Sequence, residues 1–242
     1  MTVPAAASLL FIILPWRQAV GLLGGVGVLA AIVIYIVIPR LRAEAAIAKP
    51  VIAANGKREL RSYGFPLLLS VGVIDSATRM AFLTFLPFVL TAKGASLPTI
   101  GLSLTLVFAG GAAGKLVCAL IGARIGMVAT VWLTEIVTAL GIVALLPLSL
   151  DAALVLLPVI GIALNGTSSV LYGSVPELVE PAKRQRAFGI FYTGTIGAGA
   201  VSPALYGLLG DALGVPQALM VVAAVVLLTL PVTLMLRPAL KQ

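Results

Sequence analysis

Seven apolar runs, each long enough to cross a bilayer, follow one another along the chain at about 17–39, 64–92, 98–122, 127–148, 152–175, 187–209 and 216–236. A hydrocarbon core takes about 20 apolar residues per helix. Strands of a membrane barrel would be about 10 residues long with a period of two, and these runs are longer and unbroken. The pattern therefore predicts an all-α, polytopic helical membrane protein with about seven transmembrane helices. Polar breaks between the last six runs are short. The interval 40–63 differs: Arg40, Arg42, Lys49, Lys57, Arg58 and Arg61 crowd there against only Glu44 and Glu59.

Composition agrees with the pattern. At 61% hydrophobic and 10% charged residues, the chain has too few charges to clothe a globular surface. The net charge of +8 is read from its distribution. With 40–63 placed in the cytoplasm and the spans alternating, Arg40, Arg42, Lys49, Lys57, Arg58, Arg61, Arg124, Lys183, Arg184, Arg186, Arg237 and Lys241 all fall on the inner side. Arg17 and Lys93 fall outside, with Asp151 and Asp211. Twelve cations against two orient the chain by the positive-inside bias, with the linker and the C terminus cytoplasmic. The partner implied by this charge is the lipid bilayer, not nucleic acid.

Chemistry is narrowed by what the sequence omits. There is no histidine, and Cys118 is the one cysteine. That removes an intrachain disulfide, histidine-based metal sites and triads built on a histidine base. No metal and no cofactor are expected. Residues 1–14 carry no basic segment ahead of their apolar run, so they do not read as a signal peptide. They read as the outer half of a helix whose beginning is missing, turning at Pro15-Trp16-Arg17.

Charge inside a span costs at least about 2.5–3.5 kcal/mol near the bilayer centre, so each such residue needs a partner, water or a function. Asp75 and Arg79 lie four apart on one face of the run 64–92. Asp75 is about 16 Å in from the cytoplasmic end at 1.5 Å per residue, close to the midplane. Two readings stand side by side: a cavity-lining pair in which Arg79 holds an anionic group or Asp75 exchanges a proton, and an internal salt bridge that only lets both charges enter the membrane. Lys115 and Glu135 are about equally far from the turn near position 125, so a helical hairpin would bring them together as a structural ion pair. Asn165 lies halfway along its span, followed by Thr167, Ser168, Ser169 and Tyr172. Its depth makes Asn165, with Tyr172, a substrate-contact candidate beside the plainer reading of interhelical hydrogen bonding. The glycines Gly110, Gly111, Gly114, Gly194, Gly197 and Gly199 are expected chiefly to let helices approach closely.

The ends of the chain repeat each other. Gln18-Ala19-Val20 precedes Pro39 as Gln217-Ala218-Leu219 precedes Pro238, an arginine follows Pro39 and precedes Pro238, and the two segments are 199 residues apart. This spacing suits a parallel repeat of six-helix halves. Residues 176–214 read PELVEPAKRQRAFGIFYTGTIGAGAVSPALYGLLGDALG, a basic loop and a Gly-rich helix closing on Pro203, Gly207, Asp211 and Gly214. This resembles the tenth-to-eleventh-helix region of the major facilitator superfamily. Residues 114–126, GKLVCALIGARIG, resemble that family's loop signature through Arg124 and Gly126, with Ala119 and Ala123 where the fuller motif has glycine and aspartate.

The resemblance implies half of that fold plus one helix. Residues 1–39 would be a remnant of an N-terminal half (the end of helix five, and helix six). Residues 40–63 would be the cytoplasmic linker, and 64–242 the C-terminal six-helix bundle. It further implies that helix seven, with Asp75 and Arg79, faces the central cavity. The expected function is secondary active transport of a small molecule by alternating access, with protons as a candidate coupling ion. Such a chain would be a fragment not competent alone, with a missing N-terminal half as partner, in a bacterial inner (plasma) membrane. The alternatives are an intramembrane enzyme and a seven-helix receptor-like protein. No G-x-S-x-G motif and no converging set of intramembrane acids supports the former, and the last span has no Schiff-base lysine for a retinal protein. An enzyme is not expected.

Overall fold

The computed structural model describes residues 3–37 and 63–240. Most of the basic linker, with Arg40, Arg42, Lys49, Lys57, Arg58 and Arg61, lies outside the described residues, as do Pro39 and Lys241. Within them the chain is helical from end to end: α1 (Val3–Ile13), α2 (Trp16–Val37), α3 (Gly64–Ala92), α4 (Leu97–Ile125), α5 (Met127–Leu145), α6 (Leu150–Ser174), α7 (Arg184–Leu213), α8 (Val215–Val226) and α9 (Thr229–Leu240). Seven stretches are long and apolar enough to span a membrane, with α8 and α9 counting as one. The protein is an all-α polytopic membrane protein.

Local chemistry sets the helix ends. Gly126 (φ +84°) closes α4 and opens α5, and Gly214 (φ +91°) does the same between α7 and α8. A left-handed backbone is open to glycine at little cost, so these two positions make one-residue turns between antiparallel helices. At the opposite end from Gly126, Lys93 Nζ donates to the carbonyls of Leu146 (2.8 Å) and Leu148. It thereby ties the end of α3 to the last carbonyls beyond α5, where a cation is favoured by the helix dipole. Ser149 accepts from the Ala152 N–H (3.5 Å) at the start of α6.

The sequence repeat is visible in the helices. α2 and α8 begin 199 residues apart, at Trp16 and Val215, and Ala19 and Ala218 are both fully buried. The copies then diverge: α2 runs unbroken while the last span breaks at Leu227-Leu228. Pro231 has no N–H to offer the Leu227 carbonyl, and Leu230 N–H takes it instead (3.1 Å). Ile32 stands at the matching place in α2, so nothing interrupts that helix.

Packing follows from small residues. α4 and α6 are the closest pair of helices, and each presents glycine to the other's backbone. A Cβ on Gly110 would lie 2.1 Å from the Pro158 carbonyl oxygen, one on Gly114 2.3 Å from that of Ile162, and one on Gly161 2.2 Å from that of Val107. The expectation of glycine-mediated approach holds for Gly110, Gly111, Gly114, Gly194 and Gly199, and not for Gly197, which has open space. α1 lies against α4, where Gly101 meets Ser8 and Pro4. α3 packs on α6, α7, α8 and α9, while α5 packs on α6, α8 and α9. α3 and α5 therefore occupy opposite sides of a ring closed by α6 on one side and by α8 and α9 on the other.

Candidate functional site

The interior of this ring is layered. One apolar cluster contains Phe82, Phe85, Leu86, Ile142, Leu157, Ile160, Leu164, Leu219 and Val222. A second contains Leu68, Val71, Val131, Leu171, Val175, Phe191 and Leu236. Between the two clusters the helices of the ring carry buried polar side chains: Asp75 and Thr78, with the half-buried Arg79, on α3; Thr134, Glu135 and Thr138 on α5; Thr167 on α6; Thr229 and Thr233 at the break and in α9. α7 follows suit with Thr195 and Ser202. An apolar–polar–apolar order repeated on separate helices puts one polar layer across the middle of the bundle.

The charges in that layer come from two helices. Asp75 is 3% exposed, and its Oδ2 lies 3.7 Å from Nη2 of Arg79, the i, i+4 pair expected from spacing. Arg79 keeps 21% of its side chain accessible. At 100° per residue, Arg79 points 40° from Asp75 toward the row of Gly72 and Ser76, which meets Thr195 and Gly199 of α7. Glu135 is 2% exposed, and the charges acting on it are those of Asp75 and Arg79. Its Oε1 has no hydrogen-bond partner among the described residues.

This corrects the expected pairing of Lys115 with Glu135. Helices joined by a tight turn need not face each other with every residue: α4 turns its small residues to α6, and Lys115 is left exposed. Glu135 instead points into the ring, toward α3. Lys115 and Glu135 form no ion pair.

The other predicted residues separate into distinct surroundings. Asn165 packs on Gly111 of α4, and its Nδ2 donates to the Gly161 carbonyl of its own helix (3.3 Å). Tyr172 reaches α7: its hydroxyl is 3.3 Å from Thr195 Oγ1, with its ring edge-on to Phe191. Among the motif residues, Gly126 and Gly214 form turns, Pro203 lies inside α7, Arg124 and Asp211 are exposed, and Gly207 has open space beside it. A cavity of about 810 Å³ opens elsewhere, between α4, α5, α6 and α9, beside Gly126, Trp132, Ser174, Glu177 and Arg237. None of the substrate-contact candidates lines it.

Residue-by-residue reading named Thr167 and passed over the layer's other threonines. Six of the eight buried threonines donate to a carbonyl three or four residues back, which satisfies a hydroxyl in a helix without outside help. Thr78 and Thr138 do not, and their hydroxyls have no partner among the described residues. Thr167 shares its one proton between the Ala163 carbonyl (3.2 Å) and Thr134 Oγ1 (2.8 Å), joining α6 to α5. The signal was present in the sequence as Asp75-x-x-Thr78-Arg79 and Thr134-Glu135-x-x-Thr138, polar groups at helical spacing at similar depths of two spans.

Searched against curated proteins, the chain finds no match. The family model of the Major Facilitator Superfamily matches residues 68–241, from the second turn of α3 through α9. With seven membrane-spanning stretches and a match over most of its length, the chain belongs to the Major Facilitator Superfamily, a family of membrane transporters.

Proposed function

We propose that the protein takes part in secondary active transport of a small molecule bearing an anionic group, with Arg79 as the residue that receives it. The observation that carries this reading is Arg79 itself. A guanidinium in the middle of a membrane bundle makes one long contact with Asp75 and stays partly accessible. Its planar fork suits a carboxylate or phosphate oxygen pair, and intramembrane charges of this kind mark substrate or ion pathways. Asn165 and Tyr172 are proposed as further contacts on α6.

Alternating access requires two halves rocking around a central site, so this bundle works with a second six-helix half. α1 and α2 are proposed as parts of a first half, the counterparts of the end of α7 and of α8–α9. Energy comes from an ion gradient or the substrate's own gradient, because no phosphate loop is present in the sequence. The chain is not an enzyme in this reading. It resides in a bacterial inner (plasma) membrane with the linker 40–63 and the C terminus in the cytoplasm, as the inner-side cations favour.

The test is thermal stabilisation of the purified chain by panels of small anions, cations and neutral solutes. Anionic compounds are expected to stabilise the parent and to lose that effect in Arg79→Gln. Stabilisation confined to cations or neutral solutes, or unchanged in Arg79→Gln, contradicts the reading.

A further inference from the structure

The cavity of about 810 Å³ between α4, α5, α6 and α9 has no part in the transport reading. It exists because α4 turns its small residues to α6 and not to α5, which leaves a wedge beside the one-residue turn at Gly126. Gly122, Gly126 and Gly173 line that wedge. A Cβ on Gly126 or Gly173 would meet nothing within 4 Å. Ligand pockets run from about 300 to 1,000 Å³, so the space is large enough for a small molecule or a lipid headgroup.

Its walls are of two kinds. Val170 and Leu234 are apolar, and Trp132 adds an aromatic wall held by its Nε1, which donates to Thr233 Oγ1 (2.9 Å). Arg237, in the last turn of α9, and Glu177, just past the end of α6, add one charge of each sign. Both are exposed, and neither forms an ion pair among the described residues, with the other or with a third group. Arg124, in the last turn of α4, does not line the cavity. Among the lining residues, Ile125 is 51% exposed and Leu234 47%, which makes an apolar flank. An apolar recess with a guanidinium and a carboxylate held apart suits a molecule with an apolar tail and a head carrying both charges.

Position selects the kind of molecule. The cavity lies where α4 closes, α5 opens and α9 ends, the end that the positive-inside bias favours for the cytoplasm. Tryptophan is enriched at that interface, and basic pockets between helices there take phospholipid headgroups.

We propose that this cavity binds an inner-leaflet phospholipid whose headgroup carries a phosphate and a primary ammonium. The fork of Arg237 donates to the phosphate oxygens. The ammonium donates to the Glu177 carboxylate, which only accepts. A trimethylammonium head has no N–H to donate, and a glycerol head sets no positive charge against the carboxylate. The two side chains together therefore choose among the lipids of one membrane. The site is independent of Arg79 and of the transport reading.

Lipid retention by the whole chain in detergent, read by native mass spectrometry, tests this. Phosphatidylethanolamine, phosphatidylcholine and phosphatidylglycerol with the same acyl chains are titrated in turn. The first is expected to bind about tenfold more tightly than the others, the worth of about one charge-assisted hydrogen bond. Arg237→Gln and Glu177→Gln should each remove that preference. Gly173→Leu, which fills the cavity from a position with open space, should abolish the binding, and it keeps the test decisive if loss of a charge prevents folding. Equal binding of the three lipids, or a preference unchanged in any of these variants, overturns the proposal. So does a preference for phosphatidylglycerol, because Arg237 then acts alone. In a Cys118→Ala background, Gly173→Cys should be shielded from a thiol reagent by phosphatidylethanolamine and open without it. Shielding in lipid-free detergent means that the chain itself fills the cavity, and shielding by soluble phosphoethanolamine at the same concentration means that the ligand is not a lipid. Either result overturns the proposal.

Discussion

The residues that decide the interior are those whose polar atoms have somewhere specific to go. Thr134 and Thr167 bond each other across α5 and α6, so Thr134→Val should cost about 0.5–1.5 kcal/mol, the net contribution of such a bond. Thr138 makes no bond among the described residues. The same change there removes a buried unsatisfied hydroxyl and should leave stability unchanged or raised by up to about 1 kcal/mol. Thermal unfolding in one detergent, with both variants side by side, checks this. A larger loss at Thr138 than at Thr134 would mean that the hydroxyl has a partner in the membrane. Arg79→Ala is predicted to be worse than either, by about 3–5 kcal/mol, because it strips a buried carboxylate of the one cation paired with it among the described residues. The pair was legible from the i, i+4 spacing of Asp75 and Arg79. That Glu135 is buried away from the exposed Lys115 was not, because spacing along one helix says nothing about which neighbour the next helix faces.

At the scale of helices, α4 and α6 are held by mutual approach of small residues. Gly110→Val would place atoms where the Pro158 carbonyl lies and is expected to cost about 1–3 kcal/mol through forced displacement. Gly197→Ala, facing open space, is expected to stay within about 0.5 kcal/mol of the parent. Equal melting temperatures for the two variants would contradict the packing. Hydropathy located the spans, since a helix apolar on all sides leaves a continuous run. Their ends moved by a few residues, because Gly126 and Gly214 make one-residue turns that leave no polar loop to read. The break in the last span escaped hydropathy altogether: Leu227 and Leu228 are as apolar as their neighbours. Its cause is the missing N–H of Pro231. Pro231→Ile, which copies Ile32 of α2, is expected to join α8 to α9 and to slow amide exchange at 228–232. Unchanged exchange would place the cause elsewhere.

For the whole molecule, the governing feature is the contrast between an apolar exterior and one charged layer inside. Orientation is set at the ends. With the spans alternating, Arg124, Lys183, Arg184, Arg186 and Arg237 are expected at one end and Arg17 and Lys93 at the other. In a Cys118→Ala background, Lys183→Cys should react with an impermeant thiol reagent only from the cytoplasm and Ser96→Cys only from outside. The reverse pattern would invert the topology. The fold class was legible because a bilayer leaves few alternatives to a helix bundle. Which face of each helix turns inward was not, since the pattern is apolar on all sides and the decision falls to glycines and to a few polar side chains. The central claim is that inside the membrane Arg79 pairs with Asp75 on α3, while Glu135 does not pair with Lys115 in the α4–α5 hairpin. Double-mutant cycles on thermal stability test it most directly, using Asp75→Asn with Arg79→Gln and Glu135→Gln with Lys115→Gln. The account predicts that the first cycle is non-additive by about 0.5–3 kcal/mol, with Asp75→Asn recovering part of the loss in Arg79→Gln, and that the second is additive within about 0.5 kcal/mol. Additivity in the first cycle, or a coupling of comparable size between Glu135 and Lys115, would contradict it.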